Sequence, residues 1–178
     1  LNMIGGHYQM ILFVAFHIAS HPAQLLLDKA KKNSTAKNCT WQPLEKMHLT
    51  LNYMGDTSAI QLEEIKNTLN KKLKSTQKLT VKITHMDLLT QNTLVAFCEN
   101  TVALHQLQQD IKVALNPFHQ TRDKHAFIPH ITLAKAYTSV HNSCYQNHET
   151  TINLVRICLL ESLQDQSSYR EHLRIELL

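Results

Sequence analysis

The tetrapeptide His-x-Thr-Leu occurs twice, as His48-Leu49-Thr50-Leu51 and as His130-Ile131-Thr132-Leu133, once in each half of the chain and each time in a run that reads as a β-strand. Successive side chains of a strand point to opposite faces. Each copy therefore sends its His and Thr one way and its two apolar residues the other. A fold that accommodates both copies must bury two apolar strand faces and open the opposite faces to a cleft. One such tetrapeptide is short enough to arise by chance, and a lone strand His is commonly a hydrogen-bonded filler. Two copies in matching surroundings point to function.

The chemistry that suits such a pair is displacement at a phosphodiester. An attacking oxygen loses a proton while a leaving oxygen gains one. Histidine, with an ordinary pKa of about 6.5, can start either neutral or cationic near pH 7. Two imidazoles can thus make both transfers without a metal, and each Thr hydroxyl can donate to a non-bridging phosphate oxygen. The other histidines form no His-Glu-x-x-His and no tight ligand cluster, so neither a metal nor a cofactor is expected. His17 and His85 could stand near the cleft, but are read rather as surface or hydrogen-bonded core residues. Nucleophilic catalysis finds no Gly-x-Ser-x-Gly turn and no activated Cys.

The first copy stands in Trp41-Gln42-Pro43-Leu44-Glu45-Lys46-Met47-His48-Leu49-Thr50-Leu51-Asn52-Tyr53-Met54-Gly55, the second in Ala126-Phe127-Ile128-Pro129-His130-Ile131-Thr132-Leu133-Ala134-Lys135. On these residues the chain resembles the 2H phosphoesterase superfamily, and within it the bacterial and archaeal RNA 2',3'-cyclic phosphodiesterases historically called 2'-5' RNA ligases. Trp41, His48, Thr50, Leu51 and Gly55 match that family's first motif. Phe127, Pro129, His130, Thr132, Leu133 and Ala134 match its second. The opening strand Leu12–Phe16 and the stretch Leu160-Glu161-Ser162 followed by Tyr169 are similar to its first strand and closing hairpin. Asn52 stands where an Arg commonly follows the first motif, His125 and Ile128 occupy positions often held by Arg, and Lys135 replaces the Arg after the second. The resemblance then leaves phosphate positioning to Lys135, Lys124, Arg122 or His125. A lysine offers a point charge there in place of the two-toothed guanidinium.

The resemblance implies an α+β architecture: a duplicated, two-lobed fold with antiparallel sheets lining a central cleft and helices packed outside. It implies hydrolysis of RNA 2',3'-cyclic phosphate ends to 2'-phosphates, with His48 as proton donor to the departing 3'-oxygen and His130 as proton acceptor from water. Thr50 and Thr132 would hold the phosphoryl oxygens. Phe13, His125, Phe127 and Lys135 are the candidate substrate contacts, Phe13 or Phe127 by stacking on a base. The residues themselves support the pairing of the two histidines and leave open which is the acid. Cleavage of 2',5'-linked oligoadenylates or of cyclic nucleotide phosphates such as ADP-ribose 1'',2''-cyclic phosphate is an alternative within the superfamily. A module that binds nucleotides or RNA ends without turnover is the alternative outside it. RNA ligation would be a slow reverse reaction, since no nucleotide-activating lysine motif is present.

Composition agrees with one compact enzyme domain. The chain has 178 residues, 43% of them hydrophobic, with only 3 Gly and 4 Pro, enough for a sizeable core and too apolar for disorder. A net charge of +4 suits an anionic partner, RNA ends or small cyclic-phosphate nucleotides. At 6%, aromatic residues are too sparse for a single-strand-binding surface built mainly on stacking. Cys39, Cys98, Cys144 and Cys158 show no Cys-x-x-Cys pair, and Cys98 and Cys158 read as small core residues of a reducing compartment. Neither a signal peptide nor a membrane span is expected, which makes a cytoplasmic monomer the default. Residues 1–9 read as a tag remnant or frayed end, and 10–178 as the domain.

Periodicity supplies the elements. Met10 to Phe16 suits a buried strand; Ser20 could cap, and Pro22 open, a helix reaching about Lys32. The strand of His48 is expected to end at Gly55-Asp56. Ser58-x-x-Gln61 then reads as a capping box ahead of a helix carrying Leu62, Ile65, Leu69 and Leu73. Leu79–Ile83 and Thr93–Cys98 read as strands, and Leu104, Leu107, Ile111 and Leu115 as the apolar stripe of a further helix ended by Asn116-Pro117. Thr151 to Glu161 and Tyr169 to Leu177 read as a terminal antiparallel pair.

Overall fold

The computed structural model describes residues 3–4, 7–34, 36, 38–118, 126–137, 145–146, 150–163 and 168–178. Its strands are β1 (Met3–Ile4), β2 (His7–His17), β3 (Thr40–Trp41), β4 (His48–Ser58), β5 (Leu79–Thr90), β6 (Thr93–Cys98), β7 (His130–Lys135), β8 (Tyr145–Gln146), β9 (Thr151–Leu154), β10 (Arg156–Ser162) and β11 (Tyr169–Glu176). The α-helices are α1 (Ser20–Lys32), α2 (Leu62–Leu73) and α3 (Val102–Leu115). This is the expected mixed architecture: a curled, wholly antiparallel sheet with few helices. Its main path runs β11-β10-β2-β4-β7-β6-β5-β8.

The path is nearly symmetric about its middle. One lobe holds β2-α1-β4 and the other β6-α3-β7, each a strand, a helix and then a His-x-Thr-Leu strand. The two motif strands meet at the centre, β10 and β11 extend the first lobe beyond β2, and β5 extends the second beyond β6. The core fills one face of the sheet, where Leu12, Val14, Phe16, Leu49, Leu51, Ile131 and Leu133 meet helix residues including Leu26, Ile65, Leu69, Leu104 and Ile111. The three-four-four spacings of α2 and α3 put their apolar stripes on this core.

Several boundaries differ from expectation for identifiable reasons. The strand of His48 runs past Gly55 to Ser58 because Gly55 adopts φ +68 at a bulge, where the register steps from Phe13↔Tyr53 to Leu12↔Gly55. The extra ladder length carries β2 back to His7, with Gln9 opposite Ser58 and Met3–Ile4 opposite Tyr8 and His7, so residues set aside as a terminal extension share in the sheet. Ser20 is the first helical residue and Ala19 the cap, with Pro22 in the first turn, where a missing N–H leaves no intrahelical bond broken. Ser58 accepts from the Ile60 N–H and caps a short 3-10 turn, Ala59–Gln61, from which α2 continues. The run expected as one strand from Thr151 to Glu161 divides at Val155: β9 pairs with β5 of one lobe and β10 with β2 of the other. The run from Phe118 to Lys124, ahead of the strand of His130, reads in the sequence as a loop, and beyond Phe118 it lies outside the described residues. Among those that are described, no helix is long and apolar enough to cross a membrane.

Candidate active site

Leu49 of β4 and Ile131 of β7 are antiparallel register partners, and both are fully buried in the core. The neighbours of each must then point to the opposite face, where His48, Thr50, His130 and Thr132 are all partly exposed. Antiparallel register adds a second consequence: His48 stands across from Thr132, and Thr50 across from His130. Each imidazole thus neighbours the other motif's hydroxyl, and the two histidines lie on the diagonal, about 7–8 Å apart in such a pair.

Both rings are held alike. His48 Nδ1 is 2.7 Å from the Lys46 carbonyl and His130 Nδ1 is 2.7 Å from the Ile128 carbonyl, two residues upstream in each case. A carbonyl can only accept, so each Nδ1 carries the proton and each Nε2 is left to take or give one. Pro129 immediately precedes His130, whereas Pro43 opens a short 3-10 turn, Leu44–Lys46, after which Met47 enters the first motif in extended conformation. The environments differ. His48 is buried deeply enough that desolvation lowers its pKa, a shift the Lys46 carbonyl opposes and the charges of His130, Lys135 and Lys46 reinforce.

A cavity of about 280 Å³ opens beside His48 and Thr50, walled also by Phe13, Tyr53, Lys135 and Tyr169. A second, of about 340 Å³, lies on the other side of His48 and Tyr169 and holds His17, Lys46, Glu171 and Arg174. Neither counts His130 or Thr132 among its walls; these join the site through the β4–β7 register. Phe13 is only 5% exposed, with its ring 5.1 Å from both His48 and Tyr169. Phe127 packs partly against the core, and Lys135 is exposed at the end of β7. His125, Lys124 and Arg122 lie outside the described residues.

In the sequence Tyr169 stands out only as part of a closing hairpin, yet its ring meets His48 edge-on at 5.4 Å and, with His48, walls both cavities. Its signal is positional, since β11 reaches the cleft only through the long-range pairing of β10 with β2. His17, read as a surface or core residue, is the register partner of His48 and lines the larger cavity. Burial, then Arg156 and Arg174, lower its pKa. Cys98 is a core residue as expected, while Cys158 is buried on the cleft side with Sγ 3.4 Å from Glu171; burial pushes both thiols up to about 12. Among the described residues, no group of three or more His, Cys, Asp or Glu side chains is placed to hold a metal.

A family model described as the 2'-5' RNA ligase superfamily matches residues 19–166. Among solved structures, the chain is similar to E. coli LigT complexed with 3'-AMP, with a TM-score of 0.80 at 15% identity over 96% of this chain and 99% of that one. TT0787 of Thermus thermophilus superposes with a TM-score of 0.79 at 16% identity, over 94% and 98% of the two chains. The MHV ns2 PDE domain is more distant, with a TM-score of 0.53 at 14% identity over 85% and 98%. No curated protein matches the sequence.

Proposed function

The chain belongs to the 2'-5' RNA ligase superfamily, a group of phosphoesterases, and from that premise we propose that it hydrolyses 2',3'-cyclic phosphate ends of RNA or small nucleotides to 2'-phosphates. The observation that supports the reading is the Leu49↔Ile131 register, which puts two similarly tethered imidazoles and two hydroxyls on the same face of paired strands. His130 takes a proton from water through Nε2 as the water oxygen bonds to phosphorus. The bond from phosphorus to the 3'-oxygen breaks, and that oxygen receives the proton of His48. Thr50 and Thr132 donate to the non-bridging oxygens. Each general acid or base contributes about 10²–10⁴ in rate, which two protein groups can supply without a metal.

Burial lowers the His48 pKa in the free cleft, against its role as donor. A phosphate anion beside the ring favours the protonated form, so substrate itself would load the acid. Lys135, at the rim of the smaller cavity, adds positive charge for the phosphate. Ligand class supports the reading too: E. coli LigT has been solved with 3'-AMP, ATP, NADP+ and phosphate.

The test is incubation of a dinucleotide 2',3'-cyclic phosphate with the protein in a chelator, followed by product mass and phosphatase sensitivity. Gain of one water and a 2'-phosphate end is expected. An unchanged substrate, alongside cleavage of 2',5'-linked oligoadenylate, would move the assignment to the other branch of the superfamily.

A further inference from the structure

We propose that the stacked pair His85 and Phe97, on the second lobe beside His130, is the platform for the nucleobase of the bound nucleotide. Phe97 is the register partner of His130 across β6 and β7, and His85 that of Phe97 across β5 and β6, so the three side chains share the cleft face. The rings of His85 and Phe97 lie 4.5 Å apart and 13° from parallel. All five phenylalanines are described. Phe16 and Phe118 are buried in the core, Phe127 packs against it, and Phe13 is closed in under His48 and Tyr169. Phe97 alone is partly exposed without belonging to the core. A phenyl group standing at the cleft, one strand from a proton-transferring histidine, offers an apolar flat face where a nucleotide's base would arrive.

The pair is also held in place. Thr84 Oγ1 donates to the Phe97 carbonyl at 3.2 Å and so accepts from His85 Nδ1 at 2.9 Å, which ties the imidazole plane to the backbone beneath the phenyl ring. A pre-set ring loses little freedom on binding. In the first lobe, Lys46 Nζ sits 4.9 Å from the Tyr169 centroid and Tyr169, Phe13 and His48 pack on one another, while Tyr53 stands exposed on the wall of the smaller cavity. Where the second lobe has Phe97 beside His130, the first has His17 beside His48, in a cavity with Glu171 and Arg174. The strand neighbours of the two histidines thus differ in chemistry, a phenyl ring beside His130 and an imidazole beside His48. Adjacent strands lie about 4.8 Å apart, so a phosphorus held at His130 keeps its own nucleoside within reach of Phe97.

This inference rests on the nucleotide reading above, and its test separates the two. KM is measured for adenosine 2',3'-cyclic phosphate and for the baseless methyl riboside 2,3-cyclic phosphate, with wild type, Phe97→Ala and Phe97→Trp. Binding of adenosine 2'-phosphate is followed by calorimetry. Phe97→Ala is expected to raise the ratio of nucleotide KM to baseless KM by about 5- to 150-fold, the range that base–aromatic stacking spans, with Phe97→Trp restoring it. A parallel change for both substrates, or none for either, would overturn the platform and leave the hydrolytic reading intact. No turnover by wild type, with adenosine 2'-phosphate bound in a Phe97-dependent way, would overturn the hydrolytic reading and support the platform. Neither turnover nor binding would overturn both.

Discussion

Leu49 and Ile131 face each other across the two central strands, and that one pairing crosses the motifs so that His48 neighbours Thr132 and Thr50 neighbours His130. Each half-site is therefore assembled from both halves of the chain. Thr50→Val or Thr132→Val is expected to lower kcat by about 10²–10³, as loss of one donor to a developing oxyanion does, with little change in melting temperature. A loss below threefold for both variants would remove the hydroxyls from the mechanism.

Acid and base can be told apart by pH. The pKa of His48 is lowered from 6.5, and kcat/KM reports groups of the free enzyme. If His48 is the donor it must begin protonated, so kcat/KM falls as pH rises through a value under 6.5. His48→Ala should abolish this descending limb. A limb that ascends through the same value would make His48 the acceptor and reverse the two roles.

The same group bears on stability. His17 and His48 both have folded-state pKa values below the ordinary 6.5, so the unfolded chain binds more protons as pH falls through that region. Stability contributed by keeping these rings neutral is present above pH 6.5 and lost below it. Denaturant midpoints at pH 7.5 and 5.5 should show a decrease at the lower pH, smaller in His17→Gln. An equal decrease in that variant would assign the effect to other groups.

Gly55 is the hinge of the β4 bulge. A Cβ there would meet only Tyr53 at 3.6 Å, an ordinary contact, so the cost of Gly55→Ala comes from its φ of +68. That cost is about 1–2 kcal/mol, or a fall of about 2–8 °C in melting temperature. Thermal unfolding of Gly55→Asn should show a smaller fall, because Asn tolerates the left-handed region better. Equal stability of Gly55→Ala and wild type would mean that the bulge relaxes at no cost.

What the sequence made legible was whatever depends on local alternation and spacing. The apolar stripes of α2 and α3 and the faces of the two motif strands were readable because a 3.6 or 2.0 period decides burial within one element. Gly55 misled as a strand terminator because a glycine with positive φ can bulge a strand as well as end one, and only the partner strand decides between them. The division at Val155 had no local sign, since both parts are strands and differ only in which lobe pairs with them. Tyr169 and Phe97 share that limitation: each reaches the cleft through a strand pairing distant in sequence. The Nδ1 tethers of His48 and His130 were invisible for another reason, since the acceptors are main-chain carbonyls that every residue carries.

The central claim, that two imidazoles from different lobes act on one phosphorus, is tested most directly by turnover of adenosine 2',3'-cyclic phosphate in His48→Ala, His130→Ala and the double variant. Each single change should remove at least about 10²–10⁴ of the rate, and the double variant should lose far less than the product of the two, because the groups work as a unit. Turnover within tenfold of wild type in either single variant, in a correctly folded protein, would contradict it.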